Sequence, residues 1–194
     1  GVDGILVQLP LPKAIRANRV AAAVDPAKDV DGLSPTNAGL LFQDEPGLYA
    51  CTPLGVMEIL DRYEVPLEGA HAVVIGRSMI VGKPVSQLLL RRNATVTMCH
   101  SRTRDLGAVC RQADVVVAAV GVPRMVKRDW VKPDAAVIDV GVSEVEGKLV
   151  GDVDFEAVQG VAALVTPSRR GVGPMTITML LRNTLDAYRR RTGA

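Results

Sequence analysis

Residues 71–84 read His-Ala-Val-Val-Ile-Gly-Arg-Ser-Met-Ile-Val-Gly-Lys-Pro, an apolar run that meets a glycine, a polar turn, a second glycine and a proline. The run fits a strand covered on both faces, and Pro84 suits the first turn of a helix, where its missing N–H leaves nothing unpaired. A strand that feeds a helix through such a turn aims backbone N–H groups and the positive end of the helix dipole at one place, where a phosphate can dock. The unit therefore points to a parallel α/β architecture with an anion site at the carboxyl end of its first strand.

The rest of the chain continues that alternation. The spacing of apolar residues predicts strands over 71–76, 94–99, 114–120, 135–140 and 161–166, with helices over 84–92, near 104–112 and over 154–159. A hairpin-like segment falls at 145–150, and an amphipathic helix closes the chain over 176–190. Regular alternation of this kind predicts a doubly wound parallel sheet with helices on both faces. Before it lie an apolar strand over 1–9, stopped by Pro10 and Pro12, and a short helix over 17–24. Lys28-Asp29-Val30-Asp31-Gly32 follows as a polar loop with two carboxylates. Thr52-Pro53, with Val56, Ile59 and Leu60 at helical spacing, predicts a helix capped by Thr52 and ending near Glu64. Two units are expected: a dinucleotide-binding domain over 51–174, and an incomplete α/β catalytic domain made of 1–50 with 175–194.

Composition removes other classes. The 194 residues are 48% hydrophobic with no low-complexity tract, which excludes a disordered chain. Apolar runs such as 115–122 are far shorter than the roughly 20 residues of a membrane span. The net charge of +2 is too small and scattered for a nucleic-acid surface. Arg189, Arg190 and Arg191 cluster where cations offset a helix dipole. Cys51, Cys99 and Cys110 are odd in number and form no CxxC pair, so neither disulfides nor a metal site is expected, and a reducing, cytoplasmic setting is. One Trp, three Tyr and two Phe leave few rings to stack on a flat ligand. The chain opens on Gly1 directly before strand-like residues, and an N-terminal portion is expected to be missing.

Only Gly76 and Gly82 remain of the usual three-glycine fingerprint, and the same loop could be an ordinary tight turn. The second strand decides which dinucleotide fits. Where a carboxylate normally binds the adenine ribose, this chain has Cys99-His100-Ser101, and Arg77 stands on the adjacent loop. An absent carboxylate with Arg and Ser nearby favours a 2′-phosphate, hence NADP.

Seven segments in order carry a family resemblance: residues 4–12 (Gly-Ile-Leu-Val-Gln-Leu-Pro-Leu-Pro), 28–32, 51–55 (Cys-Thr-Pro-Leu-Gly), 76–84, 99–101, 151–153 (Gly-Asp-Val) and 171–176 (Gly-Val-Gly-Pro-Met-Thr). Together they resemble the bifunctional methylenetetrahydrofolate dehydrogenase/methenyltetrahydrofolate cyclohydrolase family. The resemblance implies a Rossmann-like fold, NADP as cofactor, tetrahydrofolate derivatives as substrates and a homodimer formed through the nucleotide domain. It implies oxidation of 5,10-methylenetetrahydrofolate and hydrolysis of the product to 10-formyltetrahydrofolate, in one-carbon metabolism and purine biosynthesis. Carried over by position, Asp31 binds the amino side of the pterin, Gln8 orients a catalytic lysine, and Val7 and Leu9 line the folate pocket. Gly171, Gly173 and Thr176 stand near the ligands at the last helix. Gly76, Arg77, Ser78, Gly82, Ser101 and Val142 contact the cofactor.

Two departures accompany the resemblance. The family's catalytic lysine lies in a Tyr-x-x-x-Lys motif upstream of residue 8, so a form lacking it is the alternative: an NADP-binding fragment without cyclohydrolase activity. A different two-domain dehydrogenase, of the shikimate type, is disfavoured by residues 7–12 and 28–32. Ser168-Arg169-Arg170-Gly171 replaces the family's Val-Pro-Gly-Gly, and arginine at a turn built for glycine is strained by about 1 kcal/mol. Either the turn has drifted, or Arg169 and Arg170 grip the anionic glutamate tail of folate.

Overall fold

The computed structural model describes residues 1–193. Its strands are β1 (His71–Ile75), β2 (Thr95–Cys99), β3 (Val115–Ala118), β4 (Ala136–Asp139), β5 (Ser143–Val145), β6 (Lys148–Val150) and β7 (Leu164–Val165). Five of them form one sheet in the order β2-β1-β3-β4-β7, parallel throughout, with Val74 opposite both Met98 and Val117. After β2 the chain crosses over β1 to lay down β3 on its other side. Strand order reverses there, and in sheets of this class ligands bind in the crevice outside the carboxyl ends at that point. Glu146 and Gly147, both at positive φ, turn β5 into its antiparallel partner β6.

Alternation along each strand builds two cores. Ala72, Val74, Val115, Val117, Ala136 and Ile138 face α3 (Cys51–Arg62), α4 (Gly82–Leu90) and the start of α7 (Val172–Thr192), through Val56, Leu60, Val85, Leu89 and Val172. Val73, Ile75, Val116, Ala118 and Val137 face the other side, where α5 (Leu106–Cys110), α6 (Phe155–Val158) and a short 3-10 turn at Arg128–Trp130 lie. Each fully covered valine, leucine or isoleucine among them contributes about 1.5–3 kcal/mol of burial. Both faces are therefore covered, as the sequence pattern requires.

The first fifty residues hold α1 (Ala17–Ala23) and α2 (Pro35–Phe42). They reach the rest of the molecule through Leu41 of α2, which is buried in the large core, and through a small cluster of Val30, Leu48 and Ala187. Helix α7 ends on Gly193 at φ 72°, with Arg189, Arg190 and Arg191 in its last turn. Its outer face exposes Ile177, Leu181 and Leu185. Ala194, the last residue of the segment expected to return to the first unit, lies outside the described residues.

Several expectations change in detail. Residues 1–9 form no strand; Ile5 makes a single parallel bridge to Asp29, and Val7 and Leu9 turn to a cleft instead of to a neighbouring strand. Helix α2 was not foreseen, although Ser34 accepts from the Asn37 N–H and Pro35 follows it, an ordinary start signal. Thr52 does not cap α3. The helix begins at Cys51, two residues earlier than that cap implies, with Ala50 at the N-cap, and the Thr52 hydroxyl pairs with that of Thr176 at 3.0 Å. Helix α7 starts at Val172, four residues before the expected 176, and runs to Thr192.

Candidate active-site cleft

The two carboxylates of the 28–32 loop have separate fates. Asp29 is buried and saturated: its oxygens accept from the N–H groups of Leu33 (3.2 Å) and Ser34 (2.7 Å) and from the Asn37 side chain (3.0 Å). Asp31 is left half-buried and turned into a cleft of about 340 Å³. Its carboxyl is pushed up from the usual carboxylate range, first by burial and then by the charge of Asp29, while the Cys51 thiol pulls it back. Burial and the adjacent Asp31 charge push that thiol up to about 12, so Cys51 remains a neutral donor. Gly32 makes the turn possible. It sits at φ 69°, and a Cβ there would stand 2.2 Å from the Tyr49 carbonyl carbon. From α7, the buried Asn183 amide donates at 2.9 Å to the carbonyls of both Val30 and Tyr49, joining the segments on either side of Asp31.

The cleft is walled by Ile5, Val7 and Leu9 on alternate positions of the extended N-terminal segment, and by Ala17, Ala21 and Val24 along one face of α1 and its end. Leu33, Pro35 and Ala38 line it as well, and so do Met79 and Ile80, which belong to the glycine loop. That loop is close-packed. Gly76, at φ 118°, has no room for a Cβ, which would stand 2.3 Å from the Ala119 carbonyl oxygen; one on Gly82 would stand 2.2 Å from the Gly76 oxygen. The Ser78 hydroxyl accepts from the N–H groups of Val81 (3.1 Å) and Gly82 (3.3 Å) at the start of α4. Among the described residues, the N–H groups of Arg77, Ser78, Met79 and Ile80 donate to no protein acceptor. Gly76 N–H donates to the Cys99 carbonyl at 2.9 Å, which seats the Arg77 turn beside exposed Ser101. His100 is used locally, its ring nitrogen accepting from the Arg102 N–H at 3.1 Å.

A glycine loop with unpaired N–H groups, sharing a cleft with one unsaturated carboxylate, is the arrangement that comparison with known proteins can place. The family model for the NAD(P)-binding domain of tetrahydrofolate dehydrogenase/cyclohydrolase matches residues 50–192, and the model for the catalytic domain of the same enzymes matches residues 1–31. The chain belongs to the tetrahydrofolate dehydrogenase/cyclohydrolase family. It is 58% identical over 186 residues to the bifunctional protein FolD of Exiguobacterium sibiricum, covering 96% of this chain and 67% of that protein. The crystal structure of the FolD dehydrogenase/cyclohydrolase from Campylobacter jejuni superposes with a TM-score of 0.96 at 48% identity, over 98% of this chain and 68% of that one. The Trypanosoma brucei enzyme, solved with NADP cofactor and an inhibitor, gives 0.92 at 42% identity, over 99% and 68%. The chain thus spans about two thirds of the length of these relatives.

Within this family fold the expected site residues separate into groups. Val7, Leu9 and Asp31 meet on the cleft. Gln8 is exposed, and its amide donates to the Leu9 carbonyl at 2.8 Å. Gly76, Arg77, Ser78 and Gly82 form the loop at the carboxyl end of β1, with Ser101 after β2 and exposed Val142 after β4. Gly171, Gly173 and Thr176 open α7, where Thr176 binds Thr52 rather than facing the cleft. Arg170 adopts φ 60°, so the positive-φ position anticipated for the departed turn is real, and both Arg169 and Arg170 are exposed outside the cleft wall. Sequence reading missed the α1 contribution and the pair Met79–Ile80. The spacing of Ala17, Ala21 and Val24 at i, i+4 and i+7 carried the first signal; nothing in the sequence marked the second.

Proposed function

We propose that the chain provides the folate and dinucleotide sites of an NADP-dependent methylenetetrahydrofolate dehydrogenase with cyclohydrolase activity. The observation that carries this reading is the shared cleft: Met79 and Ile80 of the glycine loop stand on the same wall system as Asp31. A pterin bound to Asp31 is thereby held against whatever the loop binds. The residues fit a 2′-phosphorylated dinucleotide, since unpaired N–H groups line the loop and the segment after β2 offers Ser101 and Arg77 without a carboxylate.

In this reading Asp31 accepts from the amino side of the pterin and fixes the ring, while Val7 and Leu9 exclude water from its faces. Gly76, Ser78 and Gly82 admit the pyrophosphate, Arg77 and Ser101 hold the 2′-phosphate, and Val142 packs at the nicotinamide end. NADP bound there supplies the acceptor for the hydride of the methylene bridge. Gln8 stands one residue from the cleft wall, positioned to orient the lysine that the family resemblance places in a Tyr-x-x-x-Lys motif. That motif does not occur in these 194 residues. The family resemblance assigns Gly171, Gly173 and Thr176 at the start of α7 to the ligands, although none of the three lines the cleft here.

The same reading divides the molecule into a dinucleotide domain, 51–174, and a catalytic unit of 1–50 with 175–194. It includes a homodimer through the dinucleotide domain, a cytoplasmic location and a role in one-carbon supply to purine biosynthesis; no helix among the described residues is long and apolar enough to cross a membrane. The test is NADP reduction followed by absorbance with 5,10-methylenetetrahydrofolate, using the protein as expressed. Asp31→Asn is expected to raise KM for the folate and leave the Kd for NADP within twofold. A wild-type protein that binds neither ligand overturns the proposal.

A further inference from the structure

Two buried aspartates that the reading above does not use lie beneath the nicotinamide side of the crevice. Asp139 ends β4 at 2% exposure, and Asp152 follows β6 at 0%. Asp139 accepts from the N–H groups of Asp152 (2.9 Å) and Val153 (3.1 Å), while Asp152 Oδ2 accepts from those of Val120 (2.6 Å) and Gly121 (3.0 Å). The chain is thereby tied in series, from β4 to residue 152 and from residue 152 to the loop after β3.

Two glycines are shaped around these carboxylates. A Cβ on Gly141 would stand 2.0 Å from the Asp152 carboxyl carbon, and one on Gly151 would stand 1.8 Å from an Asp139 oxygen. Neither glycine has a positive φ, so the reason for glycine at both is space for a carboxylate, not backbone conformation. Asp152 Oδ1 is a buried side-chain oxygen with no partner. Burying a carboxylate in this way costs several kcal/mol unless its bonds return it. Val120 and Gly121 sit directly after the Ala119 carbonyl against which Gly76 packs, and Ser143 next to Val142 donates to the Gly121 carbonyl at 3.2 Å. The bonds of Asp152 therefore hold the loops at the ends of β3 and β4, which flank the second half of a dinucleotide in a sheet of this order.

We infer that Asp152 is a positioning residue for the nicotinamide half of the dinucleotide site, setting the Val120–Gly121 and Gly141–Val142 loops without touching the ligand. The inference rests on the reading that the crevice takes NADP. Asp152→Ala removes the acceptor shared by the Val120 and Gly121 N–H groups, so the loop after β3 loses its tie to residue 152 and the loops shift.

The experiment measures Kd for NADP and for adenosine 2′,5′-bisphosphate, which carries the adenine-side groups alone. With wild type, both bind; with Asp152→Ala, NADP is expected to weaken at least 10-fold, adenosine 2′,5′-bisphosphate to stay within twofold, and KM for the folate to be unchanged. Should the variant not fold, amide chemical shifts of wild-type Val120 and Gly121 serve instead: NADP is expected to move both and adenosine 2′,5′-bisphosphate neither. A folded variant with wild-type NADP affinity, a folded variant that loses both ligands equally, or wild-type amides indifferent to NADP would each overturn the assignment. A wild type that binds neither probe sinks the dinucleotide reading itself.

Discussion

The sheet region and the first fifty residues are held together by different means. Strands β1, β3 and β4 are buried along almost every residue and clamp two apolar cores. In the first fifty residues α1 buries nothing, Leu41 of α2 enters the large core, and the local cluster is Val30 and Leu48 against Ala187. Beside those few apolar contacts the region is held by hydrogen bonds: Asp29 gathers three donors, and Asn183 reaches across from α7 to the Val30 and Tyr49 carbonyls. The rigid half presents a loop, the thinly packed half presents a carboxylate, and the cleft lies where they meet. A scaffold stabilised by area and a site stabilised by hydrogen bonds respond differently to substitution.

The sharpest contrast is between two leucines. Leu89→Ala in the large core is expected to cost about 4 kcal/mol, and Leu48→Ala in the small cluster about 2 kcal/mol, read by urea unfolding. Hydrogen exchange at residues 17–30 should proceed by local opening well below the global free energy seen at β1 and β3. Equal costs and equal protection would break the comparison. Next, Gly82→Ala drives a Cβ onto the Gly76 carbonyl and is expected to cost about 3 kcal/mol and weaken NADP more than 100-fold, measured by unfolding and by cofactor titration. Asp31→Asn tests the other half: loss of one charged hydrogen bond, about 2 kcal/mol, should raise KM for the folate roughly 30-fold with little change in stability.

The pH dependence is a subtler discriminator. Burial pushes the Asp139 carboxyl from 3.8 up to about 6 against the pull of three backbone N–H groups, and the charge facing it is that of Asp152. The native state therefore binds this proton more tightly than the unfolded chain does. Its stabilisation is complete below the unfolded value and disappears as pH rises through about 6. Relative to Asp139→Asn, wild type should lose about 1 kcal/mol between pH values of about 5 and 7, by denaturant unfolding at each. The smallest expected effect is a gain. Arg170→Gly relieves a positive φ and should add about 0.7 kcal/mol; an accompanying rise in KM for the folate would revive a grip on the glutamate tail.

How much of this was legible follows the same division. A strand buried on both faces reads as a continuous apolar run, so β1, β3 and β4 were visible, as was the turn made by Gly76 and Gly82. The stretch at 1–9 reads as a strand because Ile5-Leu6-Val7 is an apolar run, but an apolar run reports covered side chains and not a hydrogen-bonded neighbour. Helix α2 has Ser34-Pro35 as its start signal, but its eight residues show too little apolar periodicity to stand out from a loop. In the site, the pattern Asp29-Val30-Asp31 could not say which carboxylate the loop would consume, since that depends on Asn37 and Ser34 folding back onto it. Long-range partners such as Asn183 with Val30, and Asp152 with Val120, leave no periodic trace at all.

One cleft joins Asp31 to the glycine loop. Its most direct test is a crystal structure of the protein with NADP and a folate analogue together. The pterin is expected within hydrogen-bond distance of Asp31, with Met79 and Ile80 between it and the Gly76–Gly82 turn that carries the pyrophosphate. A folate analogue bound away from Asp31, or a dinucleotide seated elsewhere than that turn, would contradict it.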